Sequence, residues 1–441
     1  MKQLEQQFLD QVCAEIKAKK CHPEIRQELA GHLEDLITER EALGVPREEA
    51  TAWAIAQMGS PQSIGKELHQ IHKPRVPWGL FVVIALLTVI SLIGMASVNM
   101  GYGSTYKANG YGINWLGNQA TYILIGIITM FIMYFINFRK LKRLSWILYG
   151  FAIAGIFTSI LWGVTVNGVN HGVHFFFITT DTTTYRPYVL MVALAGILMS
   201  RQESAKTRSW GSALIDMMII ALPAFLLIFL STIPELAVYL ISSIVLYTWI
   251  TRDWLKSVVL FGASITAGLF FIINNDALME RIMGAIAPSQ DLNGFGYIYQ
   301  LIHQVITTAG WWGHGFGSMH ENLPYAYSDF FSVYFIHTFG WAGGLLLLAV
   351  ILYLFIKLLL TIRSIREPYG QALVVGLAFL LAIRLVYGLA VLSGRMMVTS
   401  IPFPFISYGS HVWFEYAAIG LLMGIYRRKD MMPVQEETVS N

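Results

Sequence analysis

The sequence predicts an all-α polytopic membrane protein, in which about ten transmembrane helices follow a small helical bundle. Hydrophobic residues make up 55% of the 441 residues and charged residues only 13%, whereas soluble domains average about a quarter charged residues. The charges are unevenly distributed, because 22 of the 57 formal charges lie in the first 76 residues and the first long apolar run begins after Pro77. This composition excludes a soluble enzyme and a disordered chain.

Charge and cysteine content exclude further classes. The net charge of +3 does not favour nucleic-acid binding. The two cysteines, Cys13 and Cys21, are too few for a disulfide scaffold or a four-ligand zinc site. The first residues, MKQLEQQFLDQV, carry charges where a signal peptide has its apolar segment, so we expect no signal peptide here.

Residues 1–76 are predicted to form a cytoplasmic domain of four short helices. Apolar residues recur at helical spacing in stretches that begin near Leu4, Pro23, Ala50 and Pro61. Gly44 and Gly59 fit the ends of the second and third helices. The stretch HLEDLITEREALGVPREEATAWAIAQMGSPQSIGKEL resembles the prefix (HAAS-like) domains found ahead of many bacterial permeases. Two roles stay open for this domain, a folded spacer and a regulatory module that docks a partner.

Ten apolar stretches between residues 77 and 429 predict membrane spans, since a helix needs about 20 apolar residues to cross a bilayer. They are 77–98, 119–137, 144–163, 186–200, 213–231, 235–251, 256–273, 329–356, 371–392 and 411–426. Basic residues follow the even-numbered spans, as at Arg139–Arg143 and Arg427–Lys429. This pattern predicts that both termini, including a tail at 430–441, are cytoplasmic and that the long loop at about 274–328 lies outside.

The long loop contains a glycine-rich stretch, GWWGHGFG. Its Gly313, Gly315 and Gly317 permit tight turns and close backbone approach. Loops of this length are usually functional or mobile, so the three glycines are candidate substrate-binding residues. No strand is predicted before them, which argues against a dinucleotide-binding fold.

Seven stretches along the spans carry a resemblance to a known family. They are FINFRKLKRLSWILYG, VNGVNHG, IPELA, GFGYIYQ, GWWGHGFG, LPYAYSDFFSVYFIHTFGWAGG and IPFPFISYGS. In this order they resemble the SEDS family, the FtsW/RodA/SpoVE-type proteins of bacterial cell-wall growth. The resemblance implies a peptidoglycan glycosyltransferase that polymerises lipid II, the undecaprenyl-pyrophosphate-linked disaccharide-pentapeptide, at the outer face of the cytoplasmic membrane. It also implies a class B penicillin-binding protein as partner, beside membrane lipids and without nucleic acid.

The resemblance implies a catalytic role for Asp329. The family's essential acid lies in a motif like LPEAHTDFIF, which LPYAYSDFF matches here. A sugar hydroxyl is a poor nucleophile until its proton is removed, and a carboxylate at the outer end of the eighth span could serve as general base. Partial burial would raise its pKa toward a useful value. The alternative is a helix N-cap, supplied by Ser328 or Asp329.

The leaving pyrophosphate needs positive charge or dipoles to stabilise it. Arg281 and Arg395 are predicted to lie outside and are candidate substrate-binding residues. A divalent cation, Mg²⁺ or Mn²⁺, is the only cofactor considered, and no metal-ligating residue is assigned.

Charged residues within the spans form a second group of candidates. Arg384 lies midway along the ninth span, where a lone charge costs about 2.5–3.5 kcal/mol on insertion scales. It should therefore face a partner or a cavity, and Glu415 and Glu235 are the available carboxylates. Both a structural ion pair and a substrate-binding role are open for Arg384. Glu235 matches the acidic position of the family's PDLGT-like motif, here PELAV, and is a candidate substrate-binding residue.

The stretch IPFPFISYGS predicts a loop or re-entrant segment, because Pro402 and Pro404 break a helix. The resemblance makes Ser407, Tyr408 and Gly409 candidates for the wall of the substrate cavity. The alternative is a rigid turn that packs the loop.

Several acidic positions of the family are absent. Tyr325 stands at the glutamate of LPE, His337 and Thr338 stand at the two glutamates of EELG, and YRPYV replaces QPSE. His337 is a candidate polar group of the cavity. Two alternatives to a polymerase therefore stay open, a catalytically weak scaffold that recruits a transpeptidase and a transporter of lipid-linked precursors. The sequence does not distinguish cell elongation, division and sporulation.

Overall fold

The computed structural model describes most of the chain. The described residues are 2–17, 22–71, 73, 75–108, 112–166, 169–175, 178–204, 210–230, 233–290, 294–398 and 401–429. They divide into two compact units. The first comprises Met1–Pro77 with Ser364–Glu367 and the segment that begins at Ile425, and the second comprises Trp78–Arg363 with Pro368–Gly424.

The first unit contains four helices at its N-terminal end. They are α1 (Lys2–Glu15), α2 (His22–Ala42), α3 (Arg47–Met58) and α4 (Pro61–Ile71). Their core is formed by Phe8, Leu9, Val12, Ile16, Ile25, Leu33, Ile37, Ala50 and Ala54. The helices lie where the apolar spacing predicts them. Leu4, in the first turn of α1, departs from the pattern, because it is 58% exposed. The resemblance to permease-prefix domains stays a prediction.

The second unit holds the remaining helices, most of which are apolar. They are α5 (Trp78–Ala108), α6 (Trp115–Phe135), α7 (Arg139–Arg143), α8 (Ser145–Trp162), α9 (Thr182–Ser204), α10 (Trp210–Phe229), α11 (Ile233–Thr251), α12 (Trp254–Ile273), α13 (Asp276–Ile286), α14 (Phe295–Thr308), α15 (Phe331–Ser364), α16 (Pro368–Ala390) and α17 (Val412–Arg427). Helices α9, α11 and α16 pack on one another at its centre.

Every predicted span overlaps one of these helices. Within the described residues, seven helices are long and apolar enough to cross a membrane, namely α5, α6, α8, α10, α11, α15 and α16. The polytopic all-α class is therefore confirmed. The other three predicted spans coincide with α9, α12 and α17, and the total of ten spans stays a prediction.

Two connections contain structure that the sequence analysis did not predict. A small antiparallel sheet of β1 (Gly163–Val166), β2 (Val169–Phe175) and β3 (Ile178–Asp181) joins α8 to α9. Of the family-like VNG stretch in this connection, Asn167 and Gly168 lie outside the described residues. The long loop at 274–328 contains α13 and α14, each of which is amphipathic rather than apolar throughout.

Helix α15 is interrupted at Gly340, whose φ of 70° and ψ of −173° are not helical. The part before the break, residues 331–340, is buried almost throughout, whereas the part after it exposes large apolar side chains such as Leu345 and Leu346. Apolar exposure of this kind is what a membrane-facing helix shows. The helix begins at Phe331, so Asp329 lies in the loop before it rather than within the predicted span.

Candidate active site

Asp329 lies in a tight turn that leads into α15. The N–H of Ser328 donates to the carbonyl of Tyr325 at 2.9 Å, and the N–H of Phe331 donates to that of Ser328 at 3.2 Å. Within the described residues, neither Ser328 nor Asp329 makes a side-chain hydrogen bond to the first turn of α15. The N-cap alternative therefore finds no support in the geometry.

The environment of Asp329 makes its carboxylate a stronger base than an exposed aspartate. Burial raises the pKa of Asp329 to about 6, and the electrostatic interaction with His411 opposes that rise. A carboxylate with this pKa is ionised for the most part at neutral pH and can still accept a proton, as a general base must. Desolvation is the dominant cause.

The loop formed by residues 401–411 packs beside the Asp329 turn. The N–H of Tyr408 donates to the carbonyl of Tyr327 at 2.9 Å, and the two rings meet edge to face with centroids 5.8 Å apart. The Tyr408 hydroxyl accepts from Asn118 Nδ2 at 3.1 Å. The two motifs singled out in the sequence, LPYAYSDFF and IPFPFISYGS, thus meet at one place.

A buried glutamine on α6 fixes the backbone of the 401–411 loop. Gln119 Nε2 donates to the Ser407 carbonyl at 3.2 Å, and Gln119 Oε1 accepts from the Gly409 N–H at 3.3 Å. The Ser407 hydroxyl is buried and donates to the Phe403 carbonyl at 2.9 Å. Ser407 and Gly409 therefore have packing roles in this structure, while Tyr408 keeps a half-buried side chain toward the Asp329 turn.

A chain of buried charges begins at the end of the same loop. His411 Nδ1 lies 2.8 Å from Glu415 Oε1. Arg384 Nη1 lies 3.9 Å from the same carboxylate oxygen and donates to the Tyr188 hydroxyl at 2.7 Å. The other oxygen of Glu415 accepts from the Phe405 N–H at 2.6 Å. The expected partner of Arg384 is thus Glu415, and the ion-pair interpretation of this arginine is the one the geometry favours.

Glu235 belongs to a second buried ion pair. Its Oε1 atom lies 3.6 Å from Nε of Arg186, whose side chain is fully buried on α9. Sequence reasoning placed Arg186 only at the edge of a span and did not pair it. Glu235 also acts electrostatically on Arg384, so the two pairs form one network across α9, α11, α16 and α17.

Arg281 and Arg395 lie on two elements that both contact α14. Arg281, on α13, acts on Tyr299 of α14, where its charge opposes the burial that raises the pKa of Tyr299. The Tyr299 hydroxyl accepts from the Val398 N–H at 3.1 Å, which ties α14 to the segment that carries Arg395. The Arg395 side chain is exposed and Arg281 is half-buried.

The glycine-rich loop at residues 310–318 packs into the break of α15. The N–H of Gly315 donates to the Thr338 carbonyl at 3.1 Å, and the N–H of Trp341 donates to the Gly310 carbonyl at 3.0 Å. A Cβ on Gly313 would lie 2.3 Å from the Thr338 carbonyl oxygen. Gly317 donates its N–H to Ser97 Oγ at 2.9 Å. Packing therefore requires a glycine at 313 and leaves little room for a Cβ at 317, whereas at Gly315 only the φ of 97° favours glycine.

His337 lies in the same region rather than beside Asp329. Its ring stacks on His314 with centroids 4.3 Å apart and meets His320 edge to face at 5.5 Å. The neighbours of His337 in the structure are thus two histidines, His314 of the 310–318 loop and His320 just after it.

The described residues do not fit a divalent cation well. Among them, no group of three His, Cys, Asp or Glu side chains is placed to hold a metal ion. The expected Mg²⁺ or Mn²⁺ stays a prediction, and no chemical step is derived through it.

The bundle of apolar helices defines a polytopic membrane protein. The half-buried Asp329 carboxylate gives it a site that suits acid–base chemistry. The sequence of residues 77–431 matches the family model of the FtsW, RodA and SpoVE cell cycle proteins, so the chain belongs to this family.

Known relatives are similar over half to nine tenths of their length. The chain is 27% identical to a probable peptidoglycan glycosyltransferase FtsW of Thioalkalivibrio sp. (strain K90mix) over 374 residues, which cover 81% of this chain and 91% of the relative. It is 29% identical to the peptidoglycan glycosyltransferase MrdB of Escherichia coli (strain K12) over 181 residues, 40% of this chain and 49% of the relative.

Solved structures share the fold. One match is a chain from a structure that describes the structural coordination of polymerization and crosslinking by a peptidoglycan synthase complex. The TM-score is 0.65 at 19% sequence identity, and the match covers 80% of this chain and 98% of the other. The rod shape determining protein RodA of Thermus thermophilus matches with a TM-score of 0.57 at 19% identity, covering 80% and 97%.

Sequence reasoning missed two members of the site. His411 has a signal in the sequence, because His411 and Glu415 are four residues apart and therefore on one face of a helix. Gln119 has no such signal in the sequence, because a single glutamine near the start of a span does not indicate which polar group it will contact.

Proposed function

We propose that this chain is a peptidoglycan glycosyltransferase that polymerises lipid II into glycan strands at the outer face of the cytoplasmic membrane. The single observation that carries the proposal is the half-buried Asp329, with a pKa of about 6, in the motif that matches the family's essential acid. The relatives named peptidoglycan glycosyltransferase support the activity. Lipid II is the substrate that fits this activity.

Asp329 is the general base of the proposed reaction. Its carboxylate takes the proton of the acceptor sugar hydroxyl while the hydroxyl oxygen attacks the anomeric carbon of the donor. The bond from that carbon to the undecaprenyl pyrophosphate breaks, and the pyrophosphate leaves with the electron pair. Proton removal by a positioned base contributes typically 10²–10⁴-fold to a rate.

The remaining candidates have different roles in this proposal. Arg281 and Arg395 stabilise the leaving pyrophosphate, because both lie outside the helices that span the membrane and Arg395 is exposed. Arg384 and Glu235 are held in buried ion pairs, so they shape the site without reaching the substrate. Tyr408 forms part of the wall beside Asp329.

The proposed partner is a class B penicillin-binding protein, which would crosslink the strands. The fold shared with a chain of a synthase complex supports a crosslinking partner. We place both termini in the cytoplasm, since basic residues follow the even-numbered spans.

Polymerisation of labelled lipid II by the purified protein in proteoliposomes tests the proposal, with and without a candidate transpeptidase. We expect Asp329→Asn to lower the rate about 10²–10⁴-fold, because the amide cannot accept the proton. Glu321→Gln is the matched control, since Glu321 is an exposed acid eight residues earlier in the same loop. Its rate should stay within about twofold of wild type.

Two outcomes would contradict the proposal. If folded wild-type protein made no glycan under any condition, a scaffold that recruits a transpeptidase would be favoured. If labelled lipid II crossed the vesicle membrane without polymerising, a transporter would be favoured.

A further inference from the structure

Two exposed tryptophans lie side by side in the 310–318 loop. Trp311 is 67% exposed and Trp312 is 83% exposed, and Phe316 further along the loop is 51% exposed. Neither the packing of the loop nor the proposed reaction uses the two indole rings. Large aromatic side chains dominate the energetics of whatever surface covers them, so this exposed patch marks a contact surface.

The loop is fixed at the point where the exposed part of α15 begins. The N–H of Trp341 donates to the Gly310 carbonyl at 3.0 Å, and the N–H of Ala342 donates to the Trp311 carbonyl at 3.1 Å. Trp341 is itself 41% exposed. The backbones of Trp311 and Trp341 therefore lie at one level of α15, just before its membrane-facing side begins at Leu345.

The length of α15 places this level at a membrane surface. Exposed leucine and isoleucine side chains follow one another from Leu345 to Leu360, and the exposed Arg363 comes next. Trp341 and Arg363 are 22 residues apart, which is about 33 Å of helix, against a hydrocarbon core of about 30 Å. Arg363 keeps its charged head at one membrane surface, so Trp341 and the 310–318 loop lie at the other.

Helix α5 gives the same level independently. An exposed apolar stripe runs along it after the exposed Trp78, formed by Val82, Leu86, Val89, Ile93 and Met100. Trp78 and Met100 are also 22 residues apart, again about 33 Å of helix. Met100 is the residue that meets the loop, since a Cβ on Gly317 would lie 2.9 Å from its Cγ and Sδ atoms. Two membrane-length apolar stripes thus end at the same loop.

The chemistry of the loop fits the lipid headgroup region. Residues 310–318 include no Asp, Glu, Lys or Arg, and tryptophan is enriched at membrane surfaces because its ring is apolar and its N–H is polar. The polar groups of the loop are turned inward. His314 Nδ1 lies 3.1 Å from the His337 carbonyl, and the N–H groups of Gly315 and Gly317 donate to Thr338 and Ser97. A sugar or a polar partner would need such groups directed outward.

We propose that Trp311 and Trp312 insert into the lipid headgroup region of the bilayer and anchor the 310–318 loop to the membrane surface. The proposed topology makes this the outer surface. The anchor continues the membrane-facing sides of α5 and α15 and helps to hold the loop in the break of α15 at Gly340. The inference depends on the membrane class of the protein and not on the proposed glycosyltransferase activity.

Quenching of tryptophan fluorescence by brominated lipids tests the inference, in full-length protein in phosphatidylcholine nanodiscs. The chain has 12 tryptophans, so the contribution of each ring is measured as the difference between wild type and a Trp→Phe variant. We expect the signals lost in Trp311→Phe and in Trp312→Phe to fall by about half when the acyl chains are brominated close to the headgroup. Bromine near the chain ends should quench them less.

Trp53→Phe is the matched control, because Trp53 lies on α3 in the first unit, outside the membrane-length helices. Its difference signal should be the same in brominated and ordinary lipid. Trp311→Tyr and Trp312→Tyr replace any phenylalanine variant that folds poorly.

Aqueous iodide distinguishes the other occupants of the patch. Difference signals of Trp311 and Trp312 that iodide quenches and brominated lipid does not would overturn the inference, and would favour a glycan or a soluble partner at the two indoles. Stronger quenching by bromine near the chain ends would also overturn it, because the rings would then lie in the hydrocarbon core. The readout uses no substrate, so a protein without polymerase activity would contradict the proposed function and leave this test intact.

Discussion

The 310–318 loop and the 401–411 loop are both rich in aromatic residues, but the first has four glycines, whereas the second has one glycine and two prolines. The structure places them at opposite ends of one segment, residues 325–340, which is buried almost throughout from Phe330 onward. The 310–318 loop meets the break at Gly340 through backbone hydrogen bonds, such as that from Gly315 to Thr338. The 401–411 loop meets the Asp329 turn and leads into the buried pair of His411 and Glu415.

The difference shows which feature of a motif indicates chemistry. Glycines at positive φ, such as Gly313 at 73°, satisfy a conformational demand of the backbone. A histidine and a glutamate four residues apart at a buried helix start are costly unless they are paired, and His411 and Glu415 are paired at the end of the loop that packs on the Asp329 turn. We therefore expect changes at the 401–411 end to alter catalysis, and changes at the 310–318 end to alter stability alone.

Arg384→Met should have the largest effect on stability. It removes one partner of a fully buried pair and leaves Glu415 with less compensation, which typically costs about 3–5 kcal/mol. Thermal unfolding in detergent measures the loss. Arg395→Met is the control, since this arginine is exposed on the segment after α16, and its unfolding should shift by no more than ~0.5 kcal/mol. Equal shifts for both variants would mean that the ion pair to Glu415 contributes nothing.

Gly313→Ala should destabilise somewhat less and leave the pH profile unchanged. The added Cβ would lie 2.3 Å from the Thr338 carbonyl oxygen, and the φ of 73° disfavours any side chain. Left-handed strain and overpacking together should cost about 2–4 kcal/mol. Gly150→Ala provides the comparison, because a Cβ there meets nothing within 4 Å. An acid limb that moved in Gly313→Ala would show that this loop also acts on Asp329.

The fold was largely predictable because membrane spans and helical bundles leave strong periodic signals. The apolar runs located the helices from α5 to α17 that overlap predicted spans, and the spacing of Phe8, Val12 and Ile16 located α1. The small sheet of β1, β2 and β3 was not predicted, since its strands have only four to seven residues, although valines alternate with other residues in GVTV and VNHGVHF. The interruption of α15 at Gly340 was missed for a similar reason, because one glycine in an apolar run does not specify a break.

The site was predictable in part. Asp329 came from a resemblance, and the structure adds the burial that raises its pKa. Arg384 was expected to need a partner, since a lone charge in a span is costly, but the choice between Glu415 and Glu235 required the packing of α16 against its neighbours. The contact of Gln119 with the 401–411 loop depends on tertiary structure alone.

Gly315→Ala should have the smallest effect and gives the sharpest test of the two-loop comparison. Its φ of 97° disfavours a side chain, but a Cβ would meet nothing within 4 Å. Only the backbone strain remains, which should cost about 1–2 kcal/mol. If the loop serves packing alone, thermal unfolding should shift by this amount while the KM for lipid II stays unchanged. If instead the KM rises several-fold with little change in stability, Gly315 contacts substrate, and the 310–318 loop belongs to the active site as the sequence first indicated.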